Sequence, residues 1–337
     1  MNSNVQIRTL NAMVRGAYDL QQLRIQTGLR LVANFRAKLK DQSPPNEPAE
    51  DTPEDELSVE AQVLVRQLKE THRRLTDGVA RNRTLPAQKG FEGDELISTF
   101  AELALVDEYL RLEQEEGRQF RLLEGVLEGI PIYDTYLKGV RGVGPAMAAV
   151  LVTRLDPHKA RHVSSFWKFS GLDVAPDGRG RSRQKDHLVE RAYIDKNGDE
   201  KVRMSVTFDP WLKTKLVGVL ATSFLRSKSP WAEVYGHYKH RLETDPAREK
   251  VSSAEYSKRR KAGEDVKQLW TPKRIHAASC RYAVKCFLAE LWTTWRKLEN
   301  LPVTLPYNEA RRGYGHGEDL PQGGWRNPEP PMAQAAE

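Results

Sequence analysis

The residues best suited to chemistry lie in a glycine-containing turn and in a basic loop. Residues 137–155 read as an apolar turn, a Gly-Val-Gly step, and a helix with Pro145 at its first position. We expect both glycines in tight turns, because glycine enters positive φ without steric cost. Backbone amides at a helix start can donate to a phosphate oxygen. The pattern predicts a nucleic-acid-binding helix-hairpin-helix, with an ordinary packing corner as the alternative. The candidate contacts are Lys138, Arg141, Gly142 and Gly144.

The basic loop covers residues 177–191 and is rich in glycine and arginine. Arginines separated by small residues can straddle a phosphate backbone with little steric hindrance. The candidate contacts here are Arg179, Arg181, Arg183 and Lys185. The loop also holds Ser182, a candidate nucleophile, although a serine needs an activator or charge stabilisation to attack phosphate.

Residues 166–176, FWKFSGLDVAP, lie between these two stretches. The order of glycine turn, aromatic-Gly-Leu-Pro segment and basic loop resembles the C-terminal domain of one family. That family is the DEDD-type insertion-sequence transposases and the related pilin-gene invertases, the IS-one-ten group. Later segments, around Ser229-Pro230 and His276, are similar to the same domain. The likeness runs from about residue 105 to 307 and implies a DNA-binding domain used in transposition and recombination.

The resemblance also implies two catalytic centres, and neither is complete in this chain. The family's N-terminal nuclease domain holds divalent metal on an Asp-Glu-Asp-Asp cluster, whereas residues 1–93 lack a strand-rich pattern that opens with an aspartate. We therefore expect no metal site and no cofactor. The family's serine follows Gly-Leu closely, whereas residues 174–181 contain no serine and Ser182 is the nearest hydroxyl. Ser182 is thus the one candidate catalytic residue.

Charge favours a polyanionic partner. The net charge is +7, but residues 41–56 hold seven acids and no base, so the net charge becomes +14 once those seven are left out. An excess of this size favours DNA, with a structured RNA as a further candidate. No apolar run approaches the roughly 18 residues of a membrane span. The N-terminus lacks a signal pattern. We expect a cytoplasmic, nucleoid-associated protein without a membrane partner, and two reduced, buried thiols at Cys280 and Cys286.

Hydrophobic periodicity predicts a mostly α fold with one small β-hairpin around Asn197-Gly198. A long helix is expected from Asp94, and its leucine and phenylalanine seam predicts a coiled coil that pairs two chains, with an intramolecular core as the alternative. Five segments are predicted: a basic helical segment (1–40), an acidic proline-rich linker (41–56), a helical region (57–136), the transposase-type helix-hairpin-helix domain (137–307) and a disordered tail (308–337).

Three functions are consistent with these patterns. The leading hypothesis is a nucleic-acid-binding relative of the insertion-sequence transposases without a nuclease centre of its own, acting as a homodimer or with a partner transposase. The second is an active serine-type recombinase that uses Ser182. The third is a structural or oligomerising protein, in which the glycine turn is a packing corner. The first hypothesis predicts salt-dependent binding of nucleic acid. The second predicts covalent attachment to cut DNA. The third predicts neither result.

Overall fold

The computed structural model describes residues 3–39, 57–79, 83–266 and 268–304. The chain divides into two compact units, Met1–Glu128 and Gly129–Glu337. The described residues are mostly helical with a single two-stranded antiparallel hairpin, which confirms the expected fold class. The predicted linker at 41–56 and the predicted tail at 308–337 lie outside the described residues.

The first unit contains, in its described part, the helices α1 (Ser3–Lys38), α2 (Val59–Leu75) and α3 (Phe100–Leu127). Helices α1 and α3 pack along each other, and α2 packs against both. Their shared core is apolar, and its fully buried members are Leu31, Phe35, Ala61, Leu68, Ile97 and Leu103. A buried ion pair between Arg24 and Glu116 joins α1 to α3, and Gln21 Nε2 donates to the same carboxylate at 2.9 Å.

Helix α3 begins later than the periodicity predicted. The Asp94 carboxylate accepts hydrogen bonds from the amides of Leu96 (3.0 Å) and Ile97 (2.9 Å), which holds a local turn where a helix was expected. The helix begins after Thr99, because Thr99 and Glu102 form a reciprocal capping box there.

The first half of the apolar seam of α3 is covered within its own unit. Leu103 is fully buried and Val106 is 1 % exposed in the core shared with α1 and α2, while Leu110 packs against the same core. These side chains are not available to a second chain while the unit is folded. Pairing of two chains remains a prediction, and it needs a surface other than this seam.

The second unit is built from short helices around one long helix, with a hairpin inserted between them. In chain order the elements are α4 (Pro131–Thr135), a 3₁₀ turn (Leu137–Gly139), α5 (Pro145–Arg154), α6 (Val163–Phe169), a 3₁₀ turn (Lys185–His187), β1 (Val189–Ile194), β2 (Glu200–Ser205), α7 (Pro210–Thr214), a π-helical stretch (Lys215–Leu220), α8 (Ala221–Arg226), α9 (Pro230–Thr244), α10 (Ser253–Lys261) and α11 (Pro272–Leu298).

Helix α11 is the centre of this unit and packs against α4, α6, α8 and α9. Thr271 caps its first turn, and Pro272 occupies the first helical position, where a missing N–H costs nothing. Hydrogen bonds from two tryptophan indoles connect other segments to this helix. Trp292 Nε1 donates to the Ala160 carbonyl at 2.8 Å, and Trp167 Nε1 donates to the Lys285 carbonyl at 3.0 Å. The long helix therefore fixes both α6 and the segment that precedes it.

The hairpin pairs Val189 with Ser205 at one end and Ile194 with Glu200 at the other. Gly198 closes its turn with φ +89°, as the Asn197-Gly198 step predicted. Both strands are almost entirely exposed.

Within the described ranges, none of the helices has the length and hydropathy that crossing a bilayer requires. Cys280 and Cys286 are buried on α11, and no disulfide joins them. The Cys280 sulfur lies 3.5 Å from His276 Nε2, one helical turn away.

Gly171 combines a left-handed backbone with little room for a side chain. Its φ is +65°, and a Cβ there would lie 2.5 Å from a ring carbon of Phe208. We expect Gly171→Ala to destabilise the second unit by about 2–4 kcal/mol, since a left-handed backbone and an overpacked contact are both imposed. Urea unfolding followed by tryptophan fluorescence reports this unit alone, because all seven tryptophans lie in residues 167–325.

Gly129 supplies the matched control for this substitution. Its φ is +85°, but a Cβ there would meet no atom within 4 Å. Gly129→Ala should therefore cost only the backbone part, about 1 kcal/mol. Equal losses at the two positions would contradict the claim that the Phe208 ring decides the effect.

Candidate functional site

The glycine turn adopts the predicted form at Gly142. The Val143 amide donates to the Val140 carbonyl at 3.0 Å, and Gly142 takes φ +94° at the third position of that turn. A Cβ on Gly142 would lie 2.9 Å from both the Phe224 ring and Ser227 Oγ. Ser223 Oγ also donates to the Gly142 carbonyl at 2.8 Å. The need for glycine here comes from close packing against α8.

Gly144 differs from the expectation. Its φ of −80° and ψ of 170° are ordinary extended values, and a Cβ there would meet no atom within 4 Å. The prediction that Gly144 requires positive φ is therefore wrong. Gly144 is exposed and directly precedes α5, and no side chain caps that helix start among the described residues. Its position stays compatible with a phosphate contact, as do those of the exposed Lys138 and Arg141.

The loop after Gly171-Leu172 folds back on itself. A backbone bridge joins Val174 to Gly180, and the Ala175 amide donates to the Arg179 carbonyl at 2.7 Å. Arg181 Nη2 holds the Asp173 carboxylate at 2.8 Å. The Arg181 guanidinium thus stabilises the base of the loop, a structural role that sequence did not predict. Arg183 and Lys185 are exposed farther along the loop.

Ser182 belongs to a chain of three polar side chains. Its Oγ lies 2.8 Å from His187 Nδ1, and His187 Nε2 lies 3.1 Å from Asp177 Oδ2. His187 is 2 % exposed, whereas Asp177 faces solvent. A backbone hydrogen bond from Arg179, together with the one from His187, holds the pKa of Asp177 below its ordinary value. The serine–histidine–carboxylate order is that of an activated nucleophile.

The backbone decides the tautomer of His187. The Ser182 amide donates to His187 Nδ1 at 3.0 Å, so Nδ1 must carry a lone pair. The ring proton then lies on Nε2 and is donated to Asp177. The Ser182 hydroxyl can donate to the same Nδ1, while its oxygen accepts from the Gln184 amide at 3.2 Å. This arrangement can orient the hydroxyl and can take up its proton.

The same loop forms one wall of a cavity of about 500 Å³. Gly178, Arg179 and Gly180 line it on one side and helix α11 on the other. Helix α10 contributes Tyr256, and the residues just before α11 contribute Trp270. This volume falls within the roughly 300–1,000 Å³ of ligand sites.

The charge of this cavity is strongly positive. Its described lining residues include one carboxylate, Asp173, and five cationic side chains: Arg179, Lys273, Arg274, Arg281 and Lys285. Burial lowers the pKa of Lys285 and of the Arg281 guanidinium. Burial, followed by the charge of Arg281, lowers the pKa of Lys213 to about 8. Such a cluster is suited to an anionic ligand.

Sequence reasoning identified Arg179 but missed the rest of the cavity. The segment at 243–268 is rich in lysine and glutamate and carries no motif that indicates a site, yet α10 supplies Tyr256 to the wall. One signal was present in α11. Arg274, Arg281 and Lys285 recur at helical spacing with Ala277 and Ala278 between them, which places cations and small residues on one face of the helix.

Comparison of this chain with protein-family models, with curated proteins and with solved structures finds no match. Within the described residues, no group of three or more His, Cys, Asp or Glu side chains is arranged to hold a metal ion.

The tautomer of His187 is directly testable. We expect long-range ¹H–¹⁵N spectra to show a proton on Nε2 and none on Nδ1 near neutral pH, because the Ser182 amide occupies the Nδ1 lone pair. Ser182→Ala is the matched variant, since it removes the hydroxyl and keeps the amide. The tautomer should be unchanged in that variant. A proton on Nδ1 in either protein would contradict the proposed hydrogen-bond direction.

Proposed function

We propose that this chain is a nucleic-acid-binding protein of DNA transposition or recombination, related to the C-terminal domain of the insertion-sequence transposases and lacking a nuclease centre of its own. The observation that carries the proposal is the cavity, where five cationic side chains face a single carboxylate among the described lining residues. A concave surface with this balance attracts a polyanion. The net charge of +7 over the whole chain acts in the same direction.

Other exposed cations of the second unit add to its positive charge. Arg183 and Lys185 lie on the outer part of the basic loop, and Arg141 lies on the glycine turn. Such side chains can contact phosphates without reading sequence. The proposal includes DNA as the main partner, a structured RNA as a further candidate, a homodimer or a partner transposase, and a cytoplasmic, nucleoid-associated location. Those parts are supported by the sequence patterns and the basic charge.

Binding to duplex DNA should fall steeply with salt, because each phosphate neutralised contributes about −0.9 to the log–log slope. The double variant Arg183→Gln with Lys185→Gln should make that slope shallower by about 1.8, the contribution of two phosphates. Mobility-shift titrations at several salt concentrations, with duplex, junction and RNA probes, measure both slopes.

The control for this titration is Lys196→Gln on the exposed turn of the hairpin, which removes a cation outside the proposed surface. It should leave the slope unchanged. Absence of binding at low salt, or an affinity that ignores salt, would refute the proposal and favour the structural alternative.

The second candidate function is strand cleavage by Ser182, and the hydrogen bonds to His187 favour it specifically. In that reaction the Ser182 oxygen would form a bond to the phosphorus, its proton would pass to His187 Nδ1, and the bond to one strand oxygen would break. The product would be a phosphoserine linkage to DNA. The carboxylate of Asp177 would stabilise the protonated ring.

We expect binding without cutting, since the Ser182 amide already shares the lone pair that a general base needs. The test incubates supercoiled plasmid with the protein, magnesium or manganese, and total RNA, followed by a denaturing gel. An adduct that disappears in Ser182→Ala would promote the second candidate. Nicks that persist in Ser182→Ala and require metal would reveal a carboxylate centre instead.

A further inference from the structure

Arg281 and Lys285 are half-buried in the cavity wall, and both lack the partners that charges so placed normally have. Among the described residues, neither Arg281 nor Lys285 has a carboxylate within ion-pair distance or a hydrogen-bond acceptor. Lys285 only lies over the Trp167 ring, with its Nζ 4.5 Å from the ring centre. Burying a charge without such a partner is costly.

Two other arginines that are wholly or largely buried have acceptors. Arg296, on the same helix, donates to the carbonyls of Pro157 (2.6 Å), Ala160 (2.9 Å) and Pro302 (2.6 Å). Arg24 in the first unit is paired with Glu116. Arg281 therefore departs from the pattern set elsewhere in the protein. The N–H groups of the Arg281 guanidinium are available to an acceptor that a ligand would bring.

Neighbouring positive charge adds to the cost of leaving Arg281 and Lys285 without an anionic partner. The Asp173 carboxylate is already held by Arg181 at 2.8 Å. Burial, followed by the charge of Arg281, lowers the pKa of Lys213 to about 8, and burial and Arg281 also lower the pKa of Lys285, while Asp173 acts against both shifts. A dianionic or monoanionic oxygen cluster would relieve the repulsion.

The cavity also offers aromatic surface. Tyr238 and Tyr282 stack on each other, with ring centres 4.0 Å apart. Trp270 is held between Arg248 and Arg274, at 4.3 and 4.2 Å. The Tyr256 ring differs, because it has no stacking partner among the described residues while it lines the cavity. A flat aromatic ligand could stack there.

We propose that this cavity binds one nucleoside phosphate unit extruded from a nucleic-acid strand. The phosphate lies against Arg281 and Lys285, and the base lies against Tyr256. The proposal rests on the proposed function and specifies which part of the nucleic acid enters the cavity. A base that remains stacked within a duplex has no free face to offer Tyr256, so the strand must be single or locally unpaired.

The first experiment uses the full chain with dAMP and with inorganic phosphate as probes, in isothermal calorimetry and thermal unfolding. Wild type should bind both probes. Arg281→Gln and Lys285→Gln should each lower the affinity for both probes at least about tenfold, since a charge-assisted phosphate contact is lost. Tyr256→Ala should lower the affinity for dAMP about tenfold and leave the affinity for phosphate unchanged, because only the base stacks. Lys196→Gln should match wild type.

Unliganded stability separates a binding role from a structural one. Arg281→Gln should unfold at the same temperature as wild type or higher, because it removes buried repulsion. A lower unfolding temperature, or dAMP affinity equal to that of wild type, would assign Arg281 to the fold and overturn the proposal. Lack of any dAMP affinity in wild type would also overturn it.

The second experiment measures binding of a fluorescent single-stranded oligonucleotide and of its duplex, with dAMP as competitor. We expect dAMP to displace the single strand, and Arg281→Gln to weaken the single strand more than the duplex. If the single-stranded oligonucleotide and the duplex both bind with steep salt dependence, while dAMP neither binds nor competes, this inference fails and the proposed function stands. If dAMP binds and no strand does, the proposed function fails, and the assignment to a strand fails with it.

Discussion

Helix α11 carries core side chains on one side and cavity cations on another, and the packing of the second unit depends on both. One side carries Phe287 and Trp292 into the core, where they are fully buried. Another side presents Arg281 and Lys285 to the cavity. The apolar side provides the burial that holds the helix in place, so the cations remain at fixed positions despite their mutual repulsion. A site built on a rigid helix pays less to order its side chains when a ligand binds.

Local signals explain why much of the fold could be predicted. Asp209 accepts from the amides of Trp211 and Leu212 and begins α7 with Pro210 at its first position, a pair of residue types that marks a helix start. The hairpin turn at Asn197-Gly198 is equally local. The start of α3 was misplaced because the carboxylate of Asp94 can cap a turn as readily as a helix. The seam of α3 was assigned to a second chain because periodicity shows that a face is apolar and does not show what covers it.

The candidate site could be predicted only in part. Glycine at 142 and the basic loop followed from residue type, whereas Asp177 and His187 were given no role because their link to Ser182 depends on the path of the folded loop. The cavity was missed for a related reason. Arg179 and Arg281 are about a hundred residues apart in sequence and meet only because the loop packs against α11. Spacing rules act within one element, and they do not reach across such distances.

The hydrogen bonds of His187 bear on whether the loop holds a nucleic acid or also cuts it. In an activated serine, the ring nitrogen that faces the hydroxyl accepts from that hydroxyl. Here the same Nδ1 lies 3.0 Å from the Ser182 amide and 2.8 Å from its hydroxyl, so one lone pair serves two donors. Protonating Nδ1 would break the amide contact and leave two donors facing each other, which opposes the step that cleavage requires. The same loop places Arg179 in the cavity wall. The arrangement thus favours a rigid phosphate-binding loop over a reactive one, and for this reason we place binding ahead of strand cleavage.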